Sequence, residues 1–387
     1  MHYIMRSCCY KKLSKACCFY CDCMVALMRQ IVFLLFLCVD LSYSEGFSGL
    51  TTIGCLSDEV LQKFIKVISN TPYFSCVVDG RACQDVIFQE SECEGNSGVV
   101  FNAVFDGHSP RDREVKIVGS EEKLSLSKLN LVARQLANKN FGKSSIYKNL
   151  VNYAPKINLD DEKAVVSAIH SVCKETNNDL TYEHLLSAIS SVCEGASKED
   201  LDFGSTLTGI VEFENSDNVI LMNVGDSPAF VIGRNGQISM INLHDANNEG
   251  EVERMKNARI PVLFSRYYAG CLQVSRDFGP VMFECEPFAP IPEVYSVDKN
   301  DIVAVLLMSD GPLDNWNVNP EGKDMTEKEK QIGFITSFIE KLTVDALSSE
   351  KSFKGFLQDN QKTKRSGLYD DCAFIIKSYS SQPETNK

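Results

Sequence analysis

Acidic side chains standing beside glycine at the exit of an apolar run recur along this chain. VVFNAVF (99–105) leads into Asp106-Gly107-His108, VILMNV (219–224) into Gly225-Asp226-Ser227, and IVAVLLM (302–308) into Ser309-Asp310-Gly311. A fourth pair, Asp370-Asp371, comes just before CAFIIKS (372–378), and Asp85 opens the segment Asp-Val-Ile-Phe. Any one Asp-Gly is a turn signal, because both residues suit tight turns. As a set they point elsewhere. Acids at the ends of neighbouring core strands converge on one edge of a sheet, where like charges raise each other's pKa. A cation between them removes that cost. Oxygen donors without a Cys or His cluster select hard ions, Mg2+ or Mn2+. Two such ions can activate a water and clamp a phosphoryl group.

These acids need strands to carry them. Further strand-like runs are YFSCVV (73–78), TLTGIVEF (206–213), NVILMNV (218–224) and AFVIG (229–233). Apolar residues at helical spacing mark 55–68, 122–140, 160–194, 249–258 and 325–346. Strands in blocks and helices in separate blocks predict an α+β architecture rather than a regular βαβ alternation. No internal repeat or long linker appears beyond residue 48. With 387 residues, 44% of them apolar, the chain can bury a sizeable core. Its net charge of −13 excludes a broad nucleic-acid binder, which needs Lys and Arg against phosphate. Most of that acidity reads as solvated surface, and part of it as a metal site.

Seven of the sixteen cysteines precede residue 39, and no Cys-x-x-Cys pair repeats at zinc-finger distances. Residues 31–39, IVFLLFLCV, form an apolar run too short to span a bilayer as a stable helix. Arg29 precedes the run and small polar residues follow it, the pattern of a secretory signal peptide. A signal-anchor and a buried strand are the alternatives. Residues 1–44 are therefore expected to be a signal peptide or anchor, which directs the chain to the secretory pathway or to a membrane. Membrane contact is expected only if this segment is retained. A mature chain beginning near residue 45 keeps nine cysteines, an odd number, in an oxidising compartment.

The stretches VFDGHSPRDREV (104–115), FGSTLTG (203–209), NVGDSPAFVIGRNGQI (223–238), LQVSRDFG (272–279), VLLMSDGPLDNW (305–316) and YDDCAFII (369–376) together resemble the type 2C metal-dependent serine/threonine protein phosphatases. They occur in that family's order and cover about residues 73–380. Ser109-Pro110 resembles a plant-type subgroup. The resemblance implies a central sandwich of two antiparallel β-sheets flanked by helices on both sides. It implies a phosphatase domain over 73–380, preceded by an N-terminal helical extension (45–72) and followed by a polar tail (381–387). It implies a cleft with two or more Mg2+ or Mn2+ ions at one end of the sandwich. Asp106 then matches the acid bridging two metals, and Gly107 offers its carbonyl. Asp310 and Asp370 match ligands of the first metal, Asp226 a ligand of a third, and Asp85 an acid near the second. His108 matches the group that protonates the leaving oxygen, while a hydroxide bridging the metals attacks phosphorus. Phosphorylated proteins are the implied substrates, and a monomer the implied state.

This chain departs from the family in several places. Gln84 stands where many members carry Glu. The family's phosphate-binding Arg or Lys falls on Gly80, with Arg81, the candidate substrate-binding residue, one position away. One residue along a strand reverses the face, and a bulge restores it. Pro312 follows Gly311, and Ser227-Pro228 replaces a common Ser-Arg. Two other functions remain open: a phosphatase-fold protein with a weak or silent site that binds phosphoproteins, and a two-metal nuclease, which the acidic charge disfavours.

Overall fold

The computed structural model describes residues 48–78, 84–89, 98–108, 114–125, 131–137, 145–195, 197, 204–260, 262–263, 266–267, 273–279, 288–316, 325–361 and 371–379. The apolar run at 31–39, Arg81 and Asp370 lie outside the described residues.

The sandwich strands, in chain order, are β1 (Thr51–Cys55), β2 (Tyr73–Val78), β3 (Val86–Gln89), β4 (Val99–Phe105), β5 (Leu207–Phe213), β6 (Asn218–Val224), β7 (Ala229–Gly233), β8 (Gln237–Met240), β9 (Glu293–Asp298), β10 (Ile302–Met308) and β11 (Cys372–Ser378). They form a six-stranded sheet in the order β1-β8-β7-β10-β11-β2 and a five-stranded sheet in the order β9-β6-β5-β4-β3. Every pairing in both sheets is antiparallel.

Antiparallel strands usually alternate apolar and polar residues, because one face meets water. Here IVAVLLM is apolar throughout, because both faces are covered. In β10, Ala304, Leu306 and Met308 point to a helix layer, while Ile302, Val305 and Leu307 point to the facing sheet. In β6, Ile220, Met222 and Val224 face a second helix layer, and Val219 and Leu221 face inward. The first helix layer contains α1 (Asp58–Asn70). The second contains α2 (Leu131–Ala137), α3 (Ile146–Tyr153), α4 (Glu162–Asn178) and α5 (Tyr182–Ser190). A further helix, α6 (Glu249–Asn257), follows β8, and α7 (Gly311–Asn315) follows β10. The first layer is completed by α8 (Glu327–Lys341) and α9 (Glu350–Asp359). The α+β sandwich flanked on both sides by helices is the architecture expected from the sequence.

Several elements differ from the sequence reading. The segment 45–72, expected as a helical extension, supplies β1 as an edge strand beside β8 as well as α1. Ser57 caps α1 by accepting from the Val60 N–H, and Leu61, Phe64, Val67 and Ile68 bury its inner face. Gly54 sits at an irregularity of the β1 register, which hid the strand. Within 122–140, Lys123–Ser125 is a strand paired with Glu114–Ile117, and among the described residues of that range α2 is the helical part.

At one pole of the sandwich a charge cluster ties the two sheets together. Glu212 of β5 pairs with Lys377 of β11 and accepts from Tyr379 Oη at 3.1 Å, with Lys299 Nζ at 3.6 Å. The acids of the candidate site lie at the other pole.

Candidate active site

Strand register gathers the acids at that pole. Val86 pairs with Phe105, so the next step along the ladder sets Asp85 across from Asp106. Thr208 pairs with Val104 and Leu207 with Val224, which lines up Asp106, Thr206 and Gly225 across three adjacent strand ends. The Thr206 N–H donates to the Asp106 carbonyl at 2.8 Å, and the Asp106 N–H donates to Thr206 Oγ1 at 3.3 Å. Thr206 Oγ1 also meets Ser227 Oγ at 2.6 Å. This buried hydroxyl therefore joins the loop of Asp106 to the loop of Asp226.

Gly225 has φ 107°, a conformation that side chains disfavour, and a Cβ there would overlap Thr206. The turn is held on its other side by His244. The Gly225 N–H donates to His244 Nδ1 at 3.1 Å, and the His244 N–H donates to the Gly225 carbonyl at 2.9 Å. The segment 225–228 then crosses from β6 in one sheet to β7 in the other, carrying Asp226 between them.

On the six-stranded sheet, Ser309 and Ala373 exchange hydrogen bonds at 3.1 and 3.0 Å, which fixes Asp310 beside the start of β11. Asp371, buried at that start, accepts from the Gln84 N–H at 2.5 Å. That bond joins this sheet to the residue before Asp85.

The electrostatics single out Asp226. It is 7% exposed, and burial pushes its carboxyl well above the ordinary range, with further pressure from Asp310, Asp245 and Asp314. Burial likewise raises Asp245, although its carboxylate accepts from the Asn247 N–H at 2.9 Å and the Asn248 N–H at 3.0 Å. An oxygen-only set of mutually repelling acids, with Asp226 and Asp245 both buried, has the donor chemistry of a hard-cation site. Among the described residues, no three acids, cysteines or histidines are gathered closely enough to hold an ion by themselves. The fit is one of donor chemistry, with Asp226 beside Asp310 as its strongest element.

His108 lies two residues beyond Asp106 in a short bridge, Gly107 opposite Ser205 and His108 opposite Gly204. Its Nε2 is 3.1 Å from Asp277 Oδ2. Asp277 sits in the LQVSRDFG stretch, and nothing in its neighbours along the chain singles it out. Thr206 and Asp245 were missed too. Thr206 opens the TLTGIVEF run, which also holds Thr208 and Glu212, so its residue type alone did not set it apart.

The segment carrying Asp277 is itself anchored. Arg276 Nη2 reaches Glu251 Oε1 of α6 at 2.5 Å, and Arg276 Nη1 donates to the Ile291 carbonyl at 2.9 Å. Burial works to raise Glu251, but Arg276, His244 and Arg254 outweigh it and hold the carboxyl well below 4.5.

Residues 81–319 match the family model of protein phosphatase 2C. A rice protein (Oryza sativa subsp. japonica), "Probable protein phosphatase 2C 73", is 23% identical over 333 residues, covering 79% of this chain and 71% of its own. Among solved structures, a C. elegans sex-determining protein is similar at 16% identity and TM-score 0.48. The match covers 79% of this chain and 64% of that one, so this chain spans under two thirds of its length. A PPM Ser-Thr phosphatase from Mycobacterium smegmatis, solved with cacodylate, is similar at 16% identity and TM-score 0.38, covering 79% of this chain and 96% of that one.

Proposed function

Because this chain belongs to the protein phosphatase 2C family, we propose that it hydrolyses phosphoserine and phosphothreonine in proteins, in a reaction that requires Mg2+ or Mn2+. The observation that carries this reading is the state of Asp226, a buried carboxyl in the field of Asp310, Asp245 and Asp314. That repulsion would be relieved by a cation held at that pole.

Asp85, Asp106, the Gly107 carbonyl, Asp226, Asp310 and Asp370 are the groups that would hold two or more ions. When bound, such ions supply Lewis-acid activation of water and neutralise charge on the phosphoryl oxygens. The protein's own residues do the rest. Thr206 and Ser227 keep the Asp106 and Asp226 loops at a fixed spacing. His108 stands two residues past Asp106 and gives its proton to the departing Ser or Thr oxygen. The P–O bond to that oxygen breaks as the water oxygen bonds to phosphorus, and the proton lost by water balances the one given by the ring. No phosphoenzyme forms.

The test is hydrolysis of para-nitrophenyl phosphate and a phosphoserine peptide with Mn2+, with and without EDTA. Turnover that needs Mn2+ and is lost in Asp106→Ala is expected. Absence of Mn2+-dependent turnover would sink the proposal and favour the second reading, a phosphoprotein-binding module. Gly80 at the family's phosphate-binding position supports that alternative. For residues 1–44 we propose removal as a signal peptide, which mass spectrometry of the mature amino terminus tests.

A further inference from the structure

We propose that Asp277 is the positioning residue of His108, holding ring nitrogen Nε2 so that Nδ1 is the nitrogen left to face the leaving oxygen. The inference rests on the phosphatase reading above for what His108 does, but its geometry stands apart from that reading.

Asp277 is 1% exposed, and among the described residues neither of its carboxylate oxygens has a hydrogen-bond partner. The nearby polar group is His108 Nε2, itself buried, at 3.1 Å from Oδ2 and off the line of an ideal hydrogen bond. Leaving a carboxylate unpaired in the interior is costly, and a nearby cationic or N–H-bearing group offsets that cost. Burial raises the Asp277 carboxyl, and His108 pulls it back down.

The surroundings are shaped for this pair. Gly204 lies directly beneath it: a Cβ at that position would overlap the His108 ring and come within 2.6 Å of Asp277 Oδ2. A glycine in the FGSTLTG stretch thus makes room for the dyad. The backbone on each side is fixed. His108 is paired with Gly204, and Phe278 and Ser205 exchange hydrogen bonds at 2.9 and 3.0 Å. The flanking Arg276 is locked by Glu251, and Phe278 is fully buried. Asp277 therefore cannot drift from the ring. A His whose second nitrogen is held by a carboxylate is fixed in both tautomer and orientation, as in hydrolytic triads.

Two substrates separate this role from a structural one. Para-nitrophenolate leaves without needing a proton, whereas a serine oxygen leaves poorly unless protonated. In Asp277→Asn, kcat on a phosphoserine peptide is expected to fall by ~10–100-fold with KM little changed, and the fall on para-nitrophenyl phosphate to be at least ~10-fold smaller. In a His108→Gln background, the same substitution should cost less than ~2-fold, because its route of action is gone. Equal losses on both substrates, or an undiminished loss in the His108→Gln background, would overturn the proposal.

A measurement free of turnover runs alongside. 15N NMR of histidine-labelled protein at alkaline pH should show His108, assigned through His108→Gln, as the Nε2–H tautomer, and that state should be lost in Asp277→Ala. An Nδ1–H tautomer, or no change in Asp277→Ala, also overturns it. If the wild-type protein turns over neither substrate, the phosphatase reading fails, and the NMR result still decides the role of Asp277.

Discussion

Replacing Thr206 by Val keeps the shape of a fully packed side chain and removes one oxygen. That oxygen accepts from the Asp106 N–H at 3.3 Å and meets Ser227 Oγ at 2.6 Å, in a residue 1% exposed. A net hydrogen bond is worth ~1 kcal/mol, and a buried group left without its partner costs ~1–3 kcal/mol. With two partners affected, Thr206→Val should destabilise the metal-free protein by about 2–4 kcal/mol. Thr206→Ser keeps the oxygen and deletes a methyl group that packs on Gly225, which should cost only about 1 kcal/mol. Urea titration of both variants in EDTA, followed by far-UV circular dichroism, measures the two losses. A parallel Mn2+ titration, read by the free-ion electron paramagnetic resonance signal, should show weaker uptake by Thr206→Val than by Thr206→Ser. If Thr206→Ser proves the more damaging in urea, the methyl group carries this position and the account of a hydroxyl tether between the two acid loops is wrong.

Gly225→Ala should cost about 2–3 kcal/mol, from a left-handed backbone conformation and overlap with Thr206. A urea midpoint within error of wild type would show that the turn is free to rearrange. Glu251→Gln probes pH. The folded-state pKa of Glu251 is depressed, so its contribution is present above the ordinary value of 4.5 and is lost as pH falls below that. The variant should be destabilised by about 2–3 kcal/mol at pH 7 and show a shallower acid limb. Parallel stability-against-pH curves for variant and wild type would assign the acid limb to other groups.

The strands carrying Asp106, Asp226 and Asp310 were legible because each is an apolar run ending in Asp and Gly, and a strand buried on both faces leaves an unbroken signal. β1 was not legible, since Thr-Thr-Ile-Gly-Cys is half polar and holds an irregular register at Gly54. Helix α3 escaped because IYKNLVNY buries only Ile146 and Leu150 fully, too few positions to set a period. The split of Lys123–Ser125 from α2 escaped for a related reason, as three residues carry no periodicity. At the site, the sequence marked acids by their neighbours along the chain. Thr206 and Asp277 matter through partners about 100–170 positions away, Asp106 and His108 respectively, and pairing of that kind is set by sheet register.

The sandwich has chemically unlike ends. At one, Glu212 is matched by Lys377 and Lys299, so the acid there is already neutralised. At the other, Asp226 meets further aspartates. A phosphate dianion approaching that second end is repelled and a divalent cation is drawn in. For the proposed reaction, charge would impose the order of arrival: counterion first, ester after. Raising ionic strength should slow the first arrival more than the second.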